Sequence, residues 1–121
     1  MDREIMKVLV VDDEPEILNI VSKWLSKAGH HVLTTADPQK VVEYVETRDF
    51  DVVLLDLIMP GLTGLNLITR IHEKKPKQSI IIMSVIEDTR VAVLAAQQGI
   101  EGYLTKPIDF EKLEKLLAGI R

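Results

Sequence analysis

The chain has no cysteine, which excludes a disulfide framework and any thiolate-bound zinc or iron–sulfur centre. Long apolar runs are also missing. Met1-Asp2-Arg3-Glu4 leads into an apolar stretch of only a few residues, so neither a signal peptide nor a membrane span is expected, and the expected location is the cytoplasm. No Lys/Arg block stands out: 15 basic residues are scattered among 19 acidic ones, for a net charge of −4. Direct nucleic-acid binding and adhesion to anionic membranes both need clustered positive charge, so neither is expected. Linkers, repeats and low-complexity stretches are absent as well. What remains is 121 residues, 46% hydrophobic and 28% charged, the make-up of an ordinary globular protein. That length suits one domain, 1–121, with a real core and no room for a separate output module.

Short apolar runs rich in β-branched residues alternate with stretches of helical period, the pattern of an α/β fold with a parallel sheet. Strands are expected at Met6–Val11, His31–Thr35, Val52–Leu55, Ser79–Met83 and Gly102–Thr105. The first, third and fourth are almost continuously hydrophobic, as central strands covered on both faces must be. Ile17, Ile20, Val21, Trp24 and Leu25 form one helical stripe, and Phe110, Leu113, Leu117 and Ile120 another. Pro15 suits the opening of the first helix, Ala28-Gly29 its end, and Asp37-Pro38 the start of the second. With short loops and right-handed crossovers, five such units give a doubly wound sheet, for which 2-1-3-4-5 is a common strand order. Ligands bind such sheets beyond the carboxyl ends of the strands, where the winding reverses.

At that edge the first strand ends in Asp12-Asp13, the third in Asp56, the fourth in Ser84 and the fifth in Lys106. Taken singly, each has a plainer explanation. Asp12 and Asp13 would favour a helix start, Asp56 a turn, Ser84 a strand end, Tyr103 the core and Lys106 the solvated surface. Their convergence on one edge overrides these. Three close carboxylates and one ammonium leave a charge deficit that a hard divalent cation on oxygen ligands would fill. A carboxylate nucleophile beside a metal, a hydroxyl and an ammonium is the equipment for forming an aspartyl phosphate.

Four segments then carry a resemblance over essentially the whole chain: Val8-Leu9-Val10-Val11-Asp12-Asp13-Glu14-Pro15, Asp56-Leu57-Ile58-Met59-Pro60-Gly61-Leu62-Thr63-Gly64, Met83-Ser84, and Gly102-Tyr103-Leu104-Thr105-Lys106-Pro107. In that order and spacing the sequence resembles the receiver domains of two-component response regulators. The resemblance implies a flavodoxin-like (βα)5 fold and Asp56 as phosphoacceptor. It implies Mg2+, or Mn2+, held by Asp13, Asp56 and the backbone carbonyl of Ile58, with Asp12 nearby or bound through water. By the same resemblance Ser84 and Tyr103 are switch residues, Lys106 is the phosphate-facing lysine and the Lys106–Pro107 bond is cis, against about 5% for X–Pro bonds in general. The implied partners are a sensor histidine kinase or phosphotransfer protein as donor, and an effector or second copy engaged through helix 4, strand 5 and helix 5.

Departures from the family pattern narrow the expectation. Val85 is branched where a small residue is usual, and Ile58 and Ile86 are apolar where many relatives are polar. We expect these to shield an acyl phosphate from water and make it long-lived. Leu116 stands where receivers that dimerise to drive winged-helix partners often carry Arg, which speaks against that subclass. His30 and His31 lie at the opposite edge and are expected to be turn and surface residues, with His72 on a helix. Two other classes of function, a binding module and an enzyme or cofactor carrier, fit the same fold. A surface adaptor would not need the acidic pocket; a flavin carrier would be repelled by Asp12-Asp13-Glu14, and an Asp-nucleophile phosphatase would want an acid where Ile58 stands.

Overall fold

The computed structural model describes residues 5–59, 62–85 and 89–120, and of 58, 59, 62–64 and 89–91 the backbone alone. Five parallel strands, β1 (Lys7–Val11), β2 (His31–Thr35), β3 (Val52–Asp56), β4 (Ile80–Ser84) and β5 (Gly102–Thr105), form one sheet in the order 2-1-3-4-5. Between and after them run α1 (Pro15–Lys27), α2 (Pro38–Thr47), α3 (Gly64–Lys74), α4 (Thr89–Gln97) and α5 (Phe110–Ile120). A two-residue antiparallel pairing, Ile58–Met59 with Leu62–Thr63, leads from β3 into α3. The doubly wound α/β architecture expected from the sequence is the one observed.

The period-two alternation of each strand divides the core into two layers. Leu9, Val11, Val53, Leu55, Ile80 and Ile82 face α2 and α3 through Val41, Val45, Leu67, Ile68 and Ile71. On the other face Val8, Val10, Val52, Leu54, Ile81 and Met83 meet Val21 and Leu25 of α1 and Leu113 and Leu117 of α5. Every residue of β3 and β4 is buried, which accounts for their nearly unbroken apolar sequences.

Local signals place the helix ends. The Asp37 side chain accepts from the Gln39 N–H at 2.9 Å, with Pro38 in the first turn of α2. Gly29, at φ +95°, turns the chain out of α1. Asp109 caps α5 by accepting from Glu111 and Lys112. Lys74, which ends α3, and Lys75 just after it pair with Glu46 and Asp49, which keeps that charge locally balanced.

Three expectations need correction. Ile20 is 51% exposed, because the α1 stripe centres between Val21 and Leu25 and draws in Leu18 instead, leaving Ile20 roughly 115° round the helix. His30 is half-buried rather than a surface turn residue: its Nδ1 accepts the Met6 backbone N–H at 3.0 Å and so ties the start of β1 to the turn before β2. His31 is exposed, and His72, on α3, directs Nε2 at the Gln78 carbonyl 3.1 Å away. Asp56 and Ser84 are the last paired residues of β3 and β4 rather than the first beyond them, since Asp56 pairs with Met83 and Ser84 with Thr105. No helix among the described residues is long and apolar enough to cross a membrane.

Candidate functional site

Parallel register assembles the site. Asp12 follows β1 and is pinned by its N–H to the Thr35 carbonyl of β2 at 3.2 Å. Asp56 closes β3 and Ser84 closes β4, one step further along the neighbouring strand. Lys106 follows β5, its N–H donating to the Ser84 carbonyl at 2.8 Å, and the Lys106–Pro107 bond is cis. Residues separated by 44 and 50 positions thus share one end of the sheet because four strands run the same way and stop together.

Asp12, Asp56 and Ser84 are all buried, and the Lys106 side chain is only 6% exposed. A solvated lysine would look quite different. Its Nζ lies 2.7 Å from Asp12 Oδ2, 3.0 Å from Glu14 Oε1 and 3.3 Å from Asp56 Oδ2. Burial by itself opposes the charge on Lys106, but its contacts with Asp12 and Glu14 and the charges of Asp56 and Asp12 outweigh that. The net result holds the ammonium pKa above the usual lysine value.

Negative charge is nonetheless in excess. Asp12, Asp13, Glu14 and Asp56 each bring a carboxylate oxygen within 4.8 Å of the others, four acids against, among the described residues, the Lys106 ammonium that contacts three of them. Asp12 Oδ1 accepts the Glu14 N–H at 2.9 Å, while its buried Oδ2 has the Lys106 ion pair and no hydrogen-bond geometry to any group. Asp13, by contrast, is exposed at the mouth of the cluster. A buried carboxylate oxygen with spare acceptor capacity, beside an exposed one, fits a hard cation that keeps part of its water. The all-oxygen donor set suits Mg2+ or Mn2+ and offers nothing to a soft metal.

The remaining expected residues surround this centre. Ile58 sits two residues past Asp56 in the short antiparallel pairing opposite Thr63. Tyr103 is half-buried against the α2/α3 core layer. Val85 is 62% exposed directly after Ser84. The Ile58 side chain and the whole of Ile86 lie outside the described residues. Leu116 packs its methyl groups over Gly102 of β5, so at this place α5 carries a packing residue.

Glu14 is the functional-site residue that sequence reasoning did not single out. An acid at a helix start reads as a partner of the helix dipole. In the structure it occupies the position before α1 yet makes no side-chain cap, and its carboxylate reaches Lys106 instead. Nothing local in the sequence signals a contact across 92 positions.

A family model described as response regulator receiver domain matches residues 8–118. The chain is 36% identical over 106 residues to the DNA-binding transcriptional regulator NtrC of Azospirillum brasilense, an alignment covering 88% of this chain and 22% of that protein. It spans less than half the length of the curated relatives it matches. Among solved structures, the chemotaxis protein CheY4 of Vibrio cholerae superposes with a TM-score of 0.88 at 28% identity, covering 98% of this chain and 100% of that one. A response regulator receiver domain protein from Clostridium thermocellum gives a TM-score of 0.88 at 30% identity, with 96% and 94% covered.

Proposed function

The chain belongs to the response regulator receiver domain family, and on that premise we propose that it accepts a phosphoryl group on Asp56 in a Mg2+-dependent reaction. The donor in this proposal is a histidine kinase or a phosphotransfer protein. The observation that carries it is the Lys106 ammonium seated among Asp12, Glu14 and Asp56 at the carboxyl edge of the sheet.

An Asp56 carboxylate oxygen attacks phosphorus, a P–O bond forms, and the donor's P–N bond breaks with its electron pair returning to the imidazole, which takes up a proton. Lys106 supplies a fixed positive charge to the phosphoryl oxygens, and the Ser84 hydroxyl donates to them. Asp13, Asp56 and the Ile58 carbonyl, with Asp12 directly or through water, are the groups that would hold Mg2+ or Mn2+. When bound, the ion neutralises charge on the phosphoryl oxygens and so admits an anionic donor to an acidic pocket. The domain catalyses only its own phosphorylation and dephosphorylation.

Readout in this proposal is a shift between two conformations, with Ser84 and Tyr103 as the moving residues and α4, β5 and α5 as the altered face. A downstream effector or a second copy of the chain binds that face, without nucleic-acid contact or membrane insertion by the domain itself. The test is incubation with acetyl phosphate and Mg2+ followed by intact mass. A gain of one phosphoryl group, absent in Asp56→Ala and on chelation of the metal, is expected. An unmodified wild type would leave the chain a surface adaptor.

A further inference from the structure

Lys106 has three carboxylate partners, and they differ in how easily they can let it go. Asp12 is fully buried, and water cannot replace the ammonium at its Oδ2. Asp56 is buried too, and in the proposed function it is the group that changes. Glu14 is different: its side chain is 55% exposed, its backbone N–H is anchored by Asp12 Oδ1, and only its side chain need move. Water can satisfy its carboxylate as soon as Lys106 leaves.

The three distances point the same way. In the resting protein Lys106 lies closer to Glu14, at 3.0 Å, than to Asp56, at 3.3 Å. The Lys106 ammonium donates to Glu14 and Asp56 and is held by Asp12 in an ion pair, so all three acids crowd it. A phosphoryl group on Asp56 brings several new acceptor oxygens and additional negative charge, which draw Lys106 toward Asp56 and away from its other partners. Glu14 makes no side-chain cap on its own helix that would compete with this contact.

Resting on the phosphoacceptor function above, we propose that Glu14 is a positioning residue: it holds Lys106 in the unphosphorylated protein and is the partner exchanged when Asp56 is phosphorylated. Its carboxylate thereby opposes the phosphorylated state without touching the reacting atoms.

The test compares the full chain as wild type, Glu14→Gln and Glu16→Gln, the last removing an exposed charge in the first turn of α1 without reaching Lys106. Beryllofluoride, which mimics the phosphoryl group, is titrated at saturating Mg2+ by calorimetry; Mg2+ alone is titrated separately, and the Lys106 ammonium resonance is followed by NMR without either ligand. We expect Glu14→Gln to bind beryllofluoride about two- to five-fold more tightly, as befits loss of a partly exposed ion pair. Glu16→Gln should match wild type, Mg2+ should bind Glu14→Gln no more than about two-fold more weakly through the lost nearby charge, and the ammonium resonance should shift only in Glu14→Gln. Equal beryllofluoride affinity in Glu14→Gln and wild type overturns the proposal. So does equal tightening in Glu16→Gln, which would mean a general charge effect, and so does Mg2+ binding weakened about ten-fold or more in Glu14→Gln, which would make Glu14 a metal ligand. No beryllofluoride binding by wild type would overturn the phosphoacceptor function itself, and this inference with it.

Discussion

Substituting Gly102 by Ala tests how tightly α5 is held on the sheet next to the site. A Cβ at that position would stand 2.6 and 2.7 Å from the two methyl carbons of Leu116 and 3.2 Å from its Cγ. Comfortable carbon–carbon contact lies at about 3.5–4.0 Å. Rotating the Leu116 side chain can clear the methyl groups, but Cγ moves only with the α5 backbone or through an unfavourable rotamer. The outcome is overpacking at a partly buried site, which costs about 1–3 kcal/mol. For a domain of this size that is a fall in Tm of about 5–10 °C at the middle of the range. Urea and thermal unfolding followed by circular dichroism should show this, and a double-mutant cycle with Leu116→Ala localises the cause. Leu116→Ala alone should destabilise through lost packing, while Gly102→Ala/Leu116→Ala should be less destabilised than the sum of the two singles. A Gly102→Ala variant as stable as wild type, or strictly additive singles, would refute the proposed overpacking.

Two further outcomes follow from the packing and the charges. Lys106→Met leaves the buried Asp12 and Asp56 carboxylates without their cation, and at neutral pH should lose up to about 3 kcal/mol, short of the fully buried case because Glu14 is partly in water. The folded-state pKa of Lys106 is raised, so its contribution is fully present below the ordinary value of 10.5 and disappears as pH rises through the higher folded value. Urea unfolding of both proteins should therefore show a gap that persists across neutral and mildly alkaline pH; a gap that closes at neutral pH would contradict the ion-pair arrangement. Trp24 and Phe110 stack with ring centroids 5.1 Å apart and planes 28° from parallel, joining α1 to α5. A double-mutant cycle on this pair should give a coupling of about 0.5–1.5 kcal/mol, and Phe110→Ala should alter the fluorescence of the single tryptophan; zero coupling would show that the rings do not support each other.

Much of this molecule is written locally. Val8 to Val11, Val53 to Leu55 and Ile80 to Ile82 read as central strands because burial on both faces removes the need for polar residues. Pro15, Gly29, Asp37 and Pro38 mark helix ends through their own backbone and side-chain chemistry. The alternation of these elements was enough to give the α/β class and to make 2-1-3-4-5 one of two common strand orders, and the acidic pair after β1, Asp56 and Lys106 stood out as polar groups ending apolar strands. Other features depend on angles and distances that no local pattern encodes. Ile20 matches the helical stripe in type but falls off its centre, and His30 looks like turn material until Met6 is placed against its ring. The packing of Leu116 on Gly102 needs the exact approach of α5 to β5.

The site divides in the same way. Which residue types close each strand is legible from the chain alone, because those positions must leave the core and are free to be polar. Their mutual order of contact arises from the folded arrangement: Lys106 touches Asp12 most closely, then Glu14, then Asp56. Parallel register sets strand ends side by side to within a residue, but an ammonium on a flexible stem chooses among acids by fractions of an ångström and by which of them water can reach. That choice involves groups 92 positions apart, and it exists only once the sheet has closed them into one pocket.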